Sequence, residues 1–343
     1  MSIFKDNIFD GKVAFVTGGG SGNHAPGSSG VFRSRADARD ADRFICRPRT
    51  FPPLAIHRHL SAESLNQIFL TISLCTTFVP LKPTLTPHTA YRLLHGANAT
   101  ILGRRLDVIT SSAQALSAKT GRKCLGISGD VRSPESLKEA VEATLREFGK
   151  IDFVICGAAG NFLSPIEGMS ENAFQTVMSI DTLGTYNTIK ATVEEVKKTK
   201  GSYIATSATL HYKGTFMQAH VSAAKAAIDA LFRVAAVEFG PFGVRFNIIA
   251  PGPIGETEGV ARLLPAETKQ AVIRAIPMQR LGELADIANA GVYLFSSAAS
   301  YITGSVLVVD GGEYHTSGVG YHQLYPNMVL NGGDFRKLLA SKL

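Results

Sequence analysis

The stretch VTGGGSGNHAPGSSGVFRSR, residues Val16 to Arg35, decides the fold and at once raises a difficulty. An apolar, β-rich run ends in the turn TGGGSG, Thr17 to Gly22. Glycines there let backbone approach a pyrophosphate closely, provided that a helix N-terminus follows and points its N–H groups at the anion. Asn23 and His24 follow instead, without a helical pattern. By itself the turn is therefore a weak prediction of a dinucleotide site.

Outside this stretch, strand and helix patterns alternate along the chain. Further strands are predicted from the runs GANATILGRR, CLGISGDV, IDFVICGAAG, GSYIATSAT, VRFNIIAPG and GSVLVVDGG. Helices are predicted from an N-cap at Ser133 to Gly149, from about Ser170 to Lys198, over MQAHVSAAKAAIDALFRVAAVEFG and over ELADIANAGVYLFSS. The alternation predicts an α/β fold, a doubly wound parallel sheet of the Rossmann type in a single domain. Ligands of such sheets lie at the carboxyl ends of the strands.

One region breaks this rhythm, from about residue 23 to residue 88. It is rich in Pro, Ser, Arg and Thr, and a structureless segment of this length is unusual inside a domain. Ile45–Arg47 and the run TAYRLLHGANATILGRR look like separated pieces of one helix and the second strand. We therefore interpret about 23–44 and 48–88 as two insertions, of the kind that translated introns would produce; a genuine surface loop is the alternative. A C-terminal tail is expected over 313–343.

Composition narrows the class of protein. The 343 residues carry a formal net charge of +7, with eight Lys/Arg and four Asp/Glu between Asn23 and His88. These cations are scattered without interleaved aromatic residues, so we do not expect nucleic-acid binding.

The four cysteines form no CxxC pair, so neither a metal site nor a disulfide framework is predicted. The most apolar run, Ile68–Val79, is too short to span a bilayer. The final residues, Ser341, Lys342 and Leu343, match a peroxisomal import signal, which predicts the import receptor as a partner; a chance match is the alternative.

Several motifs together resemble the short-chain dehydrogenase/reductase family. They are TGxxxG from Thr17, GDV at Gly129–Val131, GAAG at Gly157–Gly160, a Lys in an Ala-rich helix (Lys225) and PGPI at Pro251–Ile254. The resemblance implies a Rossmann fold, a nicotinamide cofactor and usually a homotetramer, with the long helices around Asp181 and Lys225 at the main interface. The cofactor-binding residues that it implies are Thr17, Gly18, Gly20, Ser21, Gly22, Asp130, Val131, Ala158, Gly160, Lys225, Pro251, Gly252, Ile254 and Thr257.

Arg104 and Arg105 end the second predicted strand, where the adenosine ribose of a dinucleotide is recognised. A carboxylate at that point accepts the 2′-OH of NAD, whereas a cation suits the 2′-phosphate of NADP. The pair therefore predicts NADPH as the cofactor. A solvated basic pair is the alternative.

The catalytic positions depart from the usual pattern of the family. Val221 stands four residues before Lys225, where a proton-donating Tyr is usual, and Ala208 stands where a Ser is expected. A valine cannot donate a proton, so ketone reduction by the usual residues is disfavoured. The runs GAAGNFLSPIE, IDTLGTYN and HVSAAKAAIDAL instead resemble one branch of the family, the peroxisomal 2,4-dienoyl-CoA reductases.

That second resemblance implies reduction of a fatty 2,4-dienoyl-CoA to a 3-enoyl-CoA in peroxisomal β-oxidation. Asp181 and Lys225 would organise the proton source, and Lys225 would also hold the nicotinamide ribose. Asn161 and Phe162 would contact the substrate, under a segment from Glu256 to about Ile276 that covers the acyl chain. His220 and Ser222 are interpreted as helix-start or lining residues. The alternatives are another enoyl-CoA or carbonyl reductase of the family, or an inactive chain whose insertion breaks the cofactor cradle.

Overall fold

Seven parallel strands form a single sheet in the computed structural model, which describes residues 8–18, 95–255, 257 and 266–316. The strands are β1 Val13–Thr17, β2 Asn98–Gly103, β3 Cys124–Ser128, β4 Phe153–Cys156, β5 Ser202–Thr206, β6 Arg245–Pro251 and β7 Val306–Val309. Their order is β3-β2-β1-β4-β5-β6-β7, which confirms the predicted doubly wound sheet. The direction of winding reverses between β1 and β4, and a crevice opens at the carboxyl ends of strands at such a point.

The helices cover both faces of the sheet. They are α1 Leu106–Thr120, α2 Pro134–Phe148, α3 Glu171–Met178, α4 Gly184–Thr199, α5 Ala219–Phe239, α6 Ala266–Ala275 and α7 Leu284–Phe295. One buried cluster joins α1 and α7 to the sheet, and the other joins α2, α4 and α5 to the opposite face. Strands buried on both faces explain why the runs that predicted them are almost continuously apolar.

Helix α2 begins and ends as its sequence predicts. The Ser133 hydroxyl accepts the N–H of Ser136 at 3.1 Å, and Pro134 occupies the first turn, where its missing N–H costs nothing. Gly149 ends the helix in the left-handed region, at φ 76°.

The long helix predicted from about Ser170 to Lys198 is present as an unbroken helical run over 171–199, but it is not α-helical throughout. A π turn over Ser179–Leu183 lies between α3 and α4. A π turn adds one residue to a helical turn, which changes the direction of the side chains beyond it and is frequent at functional sites. Asp181 lies within this turn and is fully buried.

Some predicted features fall partly or wholly beyond the described residues. The insertion at about 23–88, the turn residues Gly20, Ser21 and Gly22, and the terminal Ser341, Lys342 and Leu343 all lie outside them. Of the predicted tail, Glu313–Thr316 forms a short 3₁₀ helix and 317–343 is outside the described part. No helix among the described residues is long and apolar enough to cross a membrane.

Candidate active site

A buried ion pair lies at the carboxyl ends of the central strands. Lys225, on α5, places its Nζ 3.0 Å from Oδ2 of Asp181 in the π turn. The same Nζ donates a hydrogen bond to the main-chain oxygen of Thr206, at the end of β5, at 3.0 Å. The other carboxylate oxygen, Oδ1, accepts the N–H of Gly160 at 2.7 Å. The two residues predicted to be catalytic are therefore in contact, held by a strand end and by the loop after β4.

Burial dominates the ionisation of this carboxyl group. Desolvation raises the pKa of Asp181 above its usual range, because removing a carboxylate from water disfavours its charged form. Lys225 and the Gly160 N–H stabilise the charge and oppose this increase. A raised pKa is what a group needs to hold a proton near neutral pH.

Three successive residues of the loop after β4 are each fixed to a different partner. Gly160 donates to Asp181, as described, and the Asn161 side-chain amide donates to Oε1 of Gln218 at 2.9 Å. The Phe162 ring stacks on the ring of His220, with 4.1 Å between centroids and 22° between planes. We call residues 160–162 the tied loop. Its anchors place the two predicted substrate residues, Asn161 and Phe162, beside the ion pair.

Val221 stands at the position that usually carries a tyrosine, and the side chains around it are apolar too. Val221 is 3% exposed and packs with Val177 and Ala224, against which Phe162 also lies. Ala208, at the expected serine position, supplies no hydroxyl either. Proton transfer at this site therefore depends on groups other than the usual hydroxyl pair.

A first cavity lies beside the carboxyl ends of β1, β2 and β3. It is lined by Gly18, Leu102, Gly103, Arg104, Arg105, Val108, Gly129, Asp130, Val131, Ala158 and Ile180. The Asp130 carboxylate is hydrogen-bonded by the Arg132 guanidinium, at 2.5 Å for the shortest contact. Burial would raise the pKa of Asp130, but the hydrogen bonds from Arg132 outweigh it and the pKa is lowered. The cavity brings together six of the predicted cofactor residues, including both arginines.

Gly18 forms the close approach that a nucleotide turn requires. Its φ of +75° is unfavourable for other residues, and a Cβ there would lie 2.7 Å from main-chain atoms of Gly157 and Ala158. The first turn and the GAAG motif are therefore in direct backbone contact. This contact and the two arginines fit the adenosine half of a dinucleotide.

A second cavity continues along the strand ends. Its lining comprises Val16, Thr17, Ile155, Gly157, Thr206, Pro251, Ile254, Thr257, Leu284 and Ile287. The Thr257 hydroxyl donates to the main-chain oxygen of Ile254 at 2.7 Å, which fixes the loop after β6. Gly252 passes so close to Asp310 that a Cβ would lie 2.6 Å from that side chain. Thr206 lines this cavity and also accepts from Lys225, so the cavity adjoins the ion pair.

The remaining predicted site residues are distributed as follows. Gly160 donates its N–H to Asp181. In the segment predicted to cover the acyl chain, the structure describes Thr257 and residues 266–276, which include α6; the rest lies outside the described residues. The three turn residues already named, Gly20, Ser21 and Gly22, also lie outside the described part. The described residues thus include the strand ends and the ion pair of the site, but only part of the segment predicted to cover the acyl chain.

The sequence did not reveal the role of Met217 and Gln218, the two residues that precede α5. Met217 has a φ of 62°, in the left-handed region, and its main-chain oxygen accepts the N–H of Ser164 at 3.1 Å. A non-glycine residue in that region costs about 1–2 kcal/mol and is held there only by its surroundings. Gln218 then completes the tie to Asn161. A backbone conformation of this kind leaves no signal in residue type.

A second buried cluster was also missed. The Asp229 carboxylate, one helical turn beyond Lys225, accepts from the Tyr212 hydroxyl at 2.9 Å and lies 2.8 Å from Nε2 of His211. These hydrogen bonds outweigh burial and lower the pKa of Asp229. The cluster fastens the 3₁₀ helix Leu210–Tyr212 to α5. The adjacent pair HY in the sequence was the available signal.

Comparison with known proteins gives one consistent result. The sequence profile of a family described as Enoyl-(Acyl carrier protein) reductase matches residues 89–314. A peroxisomal 2,4-dienoyl-CoA reductase of Saccharomyces cerevisiae, named as (3E)-enoyl-CoA-producing, is 48% identical over 254 residues, 73% of this chain and 85% of that protein. A protein of Danio rerio with the same enzyme name is 49% identical over 225 residues, 65% of this chain and 75% of that one.

Solved structures agree on the fold. A short-chain type dehydrogenase/reductase from Mycobacterium ulcerans superposes with a TM-score of 0.67 at 25% sequence identity. The match covers 90% of this chain and 91% of that one.

Proposed function

The chain belongs to the short-chain dehydrogenase/reductase family, and we propose that it reduces 2,4-dienoyl-CoA thioesters to 3-enoyl-CoA with NADPH. The observation that carries the proposal is the buried Asp181–Lys225 pair, 3.0 Å apart, beside an apolar Val221. This arrangement replaces the hydroxyl donor of a carbonyl reductase with a carboxyl group of raised pKa. The relatives named as (3E)-enoyl-CoA-producing reductases support the same reaction.

The cofactor is a nicotinamide dinucleotide, as the family and fold imply. We propose NADPH because Arg104 and Arg105 line the cavity at the end of β2, where a 2′-phosphate would be neutralised. Steady-state rates with NADPH and NADH test this choice. A clear preference for NADPH is expected, and equal or better rates with NADH would contradict it.

The chain's residues explain how the reaction would proceed. When bound, the cofactor supplies a hydride, which adds to C5 of the conjugated thioester. The electron pair moves along the conjugated system to the thioester oxygen, giving a dienolate. Protonation at C2 then leaves the double bond between C3 and C4. Asp181, with its proton held by burial and its position fixed by Lys225 and Gly160, organises delivery of that proton.

The substrate would enter beside the tied loop. Asn161 and Phe162 follow Gly160, which contacts Asp181. A mostly apolar pocket includes Ala219, the residue before His220, and its full lining is Ile166, Met169, Ser170, Glu171, Phe174 and Ala219. Apolar walls of this kind suit a fatty acyl chain rather than a small polar ketone.

Location and assembly follow from the same proposal. The protein acts in the peroxisome, in the β-oxidation of unsaturated fatty acids; the reductases that it resembles are named as peroxisomal. We propose that Ser341, Lys342 and Leu343 bind the import receptor. We also propose a homotetramer, supported by apolar side chains that α4, α5 and the π turn leave exposed: Leu183, Tyr186, Val234 and Val237.

The test measures NADPH oxidation with a 2,4-dienoyl-CoA for two proteins: the full-length chain, and a shortened chain without residues 23–44 and 48–88. Loss of dienoyl absorbance with a 3-enoyl product is expected from at least one of them. Activity in the shortened chain alone would identify the insertion as the element that breaks the cofactor cradle. Reduction of a 2-enoyl-CoA or a ketone in preference to the dienoyl-CoA would contradict the proposal.

A further inference from the structure

The proposed reaction needs a hydrogen-bond donor at the thioester oxygen. As hydride adds, negative charge develops on the thioester oxygen, and a preorganised donor at that atom lowers the barrier. Nζ of Lys225 is already committed to Thr206 and Asp181, and the Gly160 N–H is committed to Asp181. The Asn161 amide donates to Gln218. The Lys225 ammonium and the Asn161 amide each keep one further N–H, but both are already held by these partners, so a buried donor without a partner beside them is the group to look for.

His220 is a buried polar group close to the ion pair, near enough for the Asp181 charge to affect its ionisation. It lies in the first turn of α5 and is 0% exposed, yet neither ring nitrogen has a hydrogen-bond partner among the described residues. The main-chain oxygen of Phe162 approaches the ring, but outside hydrogen-bond geometry. Leaving a buried polar group unpaired costs about 1–3 kcal/mol, so an unpaired imidazole beside Phe162 and Asp181 needs an explanation.

The surroundings define how this ring can be used. Stacking on Phe162 fixes the ring plane, so the nitrogens are presented only at the ring edge, beside the tied loop. Burial lowers the pKa of His220, against the opposing effects of the Asp181 carboxylate and the Phe162 main-chain oxygen. The ring is therefore neutral, with one N–H to donate and no charge to bury.

Three other buried hydroxyls of the described residues also lack partners, and they are placed less suitably: Ser112, on α1, Ser207 and Ser222. The hydroxyl of Ser207 lies against Asp229 and lowers the pKa of that carboxyl. Ser222 lies two residues after His220, which places it about 200° around α5, beyond Lys225. His220, by contrast, stacks directly on Phe162, which the substrate would contact.

We propose that His220 donates a hydrogen bond from its neutral ring to the thioester oxygen of the bound dienoyl-CoA. This inference rests on the proposed function. The imidazole keeps its proton throughout: the hydride forms the new bond at C5, charge collects on the oxygen against the His220 N–H, and the proton added at C2 comes from the Asp181 side. His220 is thus assigned as a catalytic residue for charge stabilisation, distinct from the proton source.

The test compares His220→Phe, which keeps an aromatic ring without a donor, with His220→Gln, which keeps an N–H. Each full-length variant is mixed with NADP⁺ and a 2,4-dienoyl-CoA, so that substrate binds without reduction. A hydrogen bond to the thioester oxygen polarises the conjugated system and shifts its absorbance to longer wavelength. We expect the shift in the unaltered protein, its loss in His220→Phe and its partial return in His220→Gln. His315→Phe, which removes an exposed histidine, is the matched control and should behave as the unaltered protein does.

The kinetic expectation matches the spectroscopic one. Removal of one such donor lowers kcat by about 10²–10³-fold, and His220→Gln should recover at least about tenfold of that loss. NADPH affinity should stay within about threefold, which also shows that the variants fold. His220→Leu replaces His220→Phe if the latter binds no NADPH.

Two results would overturn the inference on its own. One is a dienoyl complex of the active, unaltered protein without the absorbance shift. The other is a His220→Phe variant that keeps both the shift and kcat within about threefold. If the unaltered protein reduces no dienoyl-CoA at all, the proposed function fails and this inference fails with it.

Discussion

At the scale of single residues, the proposed chemistry depends on a carboxyl group whose surroundings are unlike those of an ordinary aspartate. Asp181 is fully buried in the π turn, and its oxygens contact Lys225 and Gly160. The sequence identified both members of the ion pair through the motifs IDTLGTYN and HVSAAKAAIDAL. It did not identify the partners that fix them, because a main-chain N–H or carbonyl can belong to any residue type.

Substitution of this carboxyl group should separate chemistry from binding. Asp181→Asn keeps the shape but can neither ionise nor deliver a proton, so we expect kcat to fall by about 100-fold or more, with a much smaller change in NADPH affinity. Stopped-flow reduction and fluorescence titration measure the two quantities. Asp107→Asn, on the exposed first turn of α1, is the control. Equal losses in both variants would contradict the assignment.

The same residue makes a prediction about pH. A rate that needs a protonated carboxyl falls as pH rises through the pKa of that carboxyl. Burial raises the pKa of Asp181, so the decline should occur at higher pH than for an exposed aspartate. A pH profile of kcat should show this alkaline limb, and the profile of Asp181→Asn should lack it. An identical limb in the variant would assign the titration to another group.

Gly18 offers a second test at this scale, with an internal control. Gly11 and Gly18 both have positive φ, but a Cβ at Gly11 would meet no atom within 4 Å, whereas one at Gly18 would lie 2.7 Å from the 157–158 backbone. We expect Gly11→Ala to cost about 1 kcal/mol of stability through strain alone. Gly18→Ala should cost more and weaken NADPH binding by about tenfold or more, because the turn is displaced from the pyrophosphate. Denaturant unfolding and cofactor titration distinguish the two; unimpaired binding by Gly18→Ala would place the pyrophosphate elsewhere.

At the scale of elements, the sequence predicted the ends of a helix correctly where the residue at that end itself stabilises the helix terminus. The start and end of α2 could be predicted because Ser133, Pro134 and Gly149 each act through their own conformational preference. The π turn could not be predicted, because helical periodicity does not change visibly over a single added residue. The turn is stabilised by contacts beyond the helix, including Asp181 to Lys225.

The N-cap of α2 gives a prediction about stability alone. Ser133→Ala removes the acceptor for the Ser136 N–H and should lower the free energy of unfolding by about 1 kcal/mol. The cap lies outside the Asp181 site, so reduction of dienoyl-CoA should be unchanged at moderate temperature. Urea unfolding followed by circular dichroism measures the loss. Ser133→Asp, which retains an acceptor, should restore the stability, and failure to do so would mean that the cap contributes little.

At the scale of the whole molecule, the alternation of strands and helices was enough to predict the sheet and both of its covered faces. The pattern works because parallel strands need crossover connections, which place helices on either side. The insertion after β1 was also inferred from a break in that pattern. The sequence could not predict which exposed residues would contact another copy of the chain.

Assembly can be tested on α5. Val234 and Val237 are 54% and 78% exposed and lie on the side of the helix away from the buried Ile228 and Phe232. If four copies associate through this face, Val237→Asp should reduce the molar mass measured by light scattering, because burying a carboxylate in an apolar contact is unfavourable. Lys269→Asp, on the exposed part of α6, should leave the mass unchanged. An unchanged mass in Val237→Asp would remove α5 from the interface.

The tied loop limits how this enzyme can be altered. Gly160, Asn161 and Phe162 are consecutive, and each is anchored to a different group, so a single insertion or deletion there would break all three connections together. Variation in acyl preference, whether selected in nature or in the laboratory, must therefore come from replacement of side chains or from the segment after Pro251. A library that randomises loop length should be directed to that segment, while residues 160–162 keep their number.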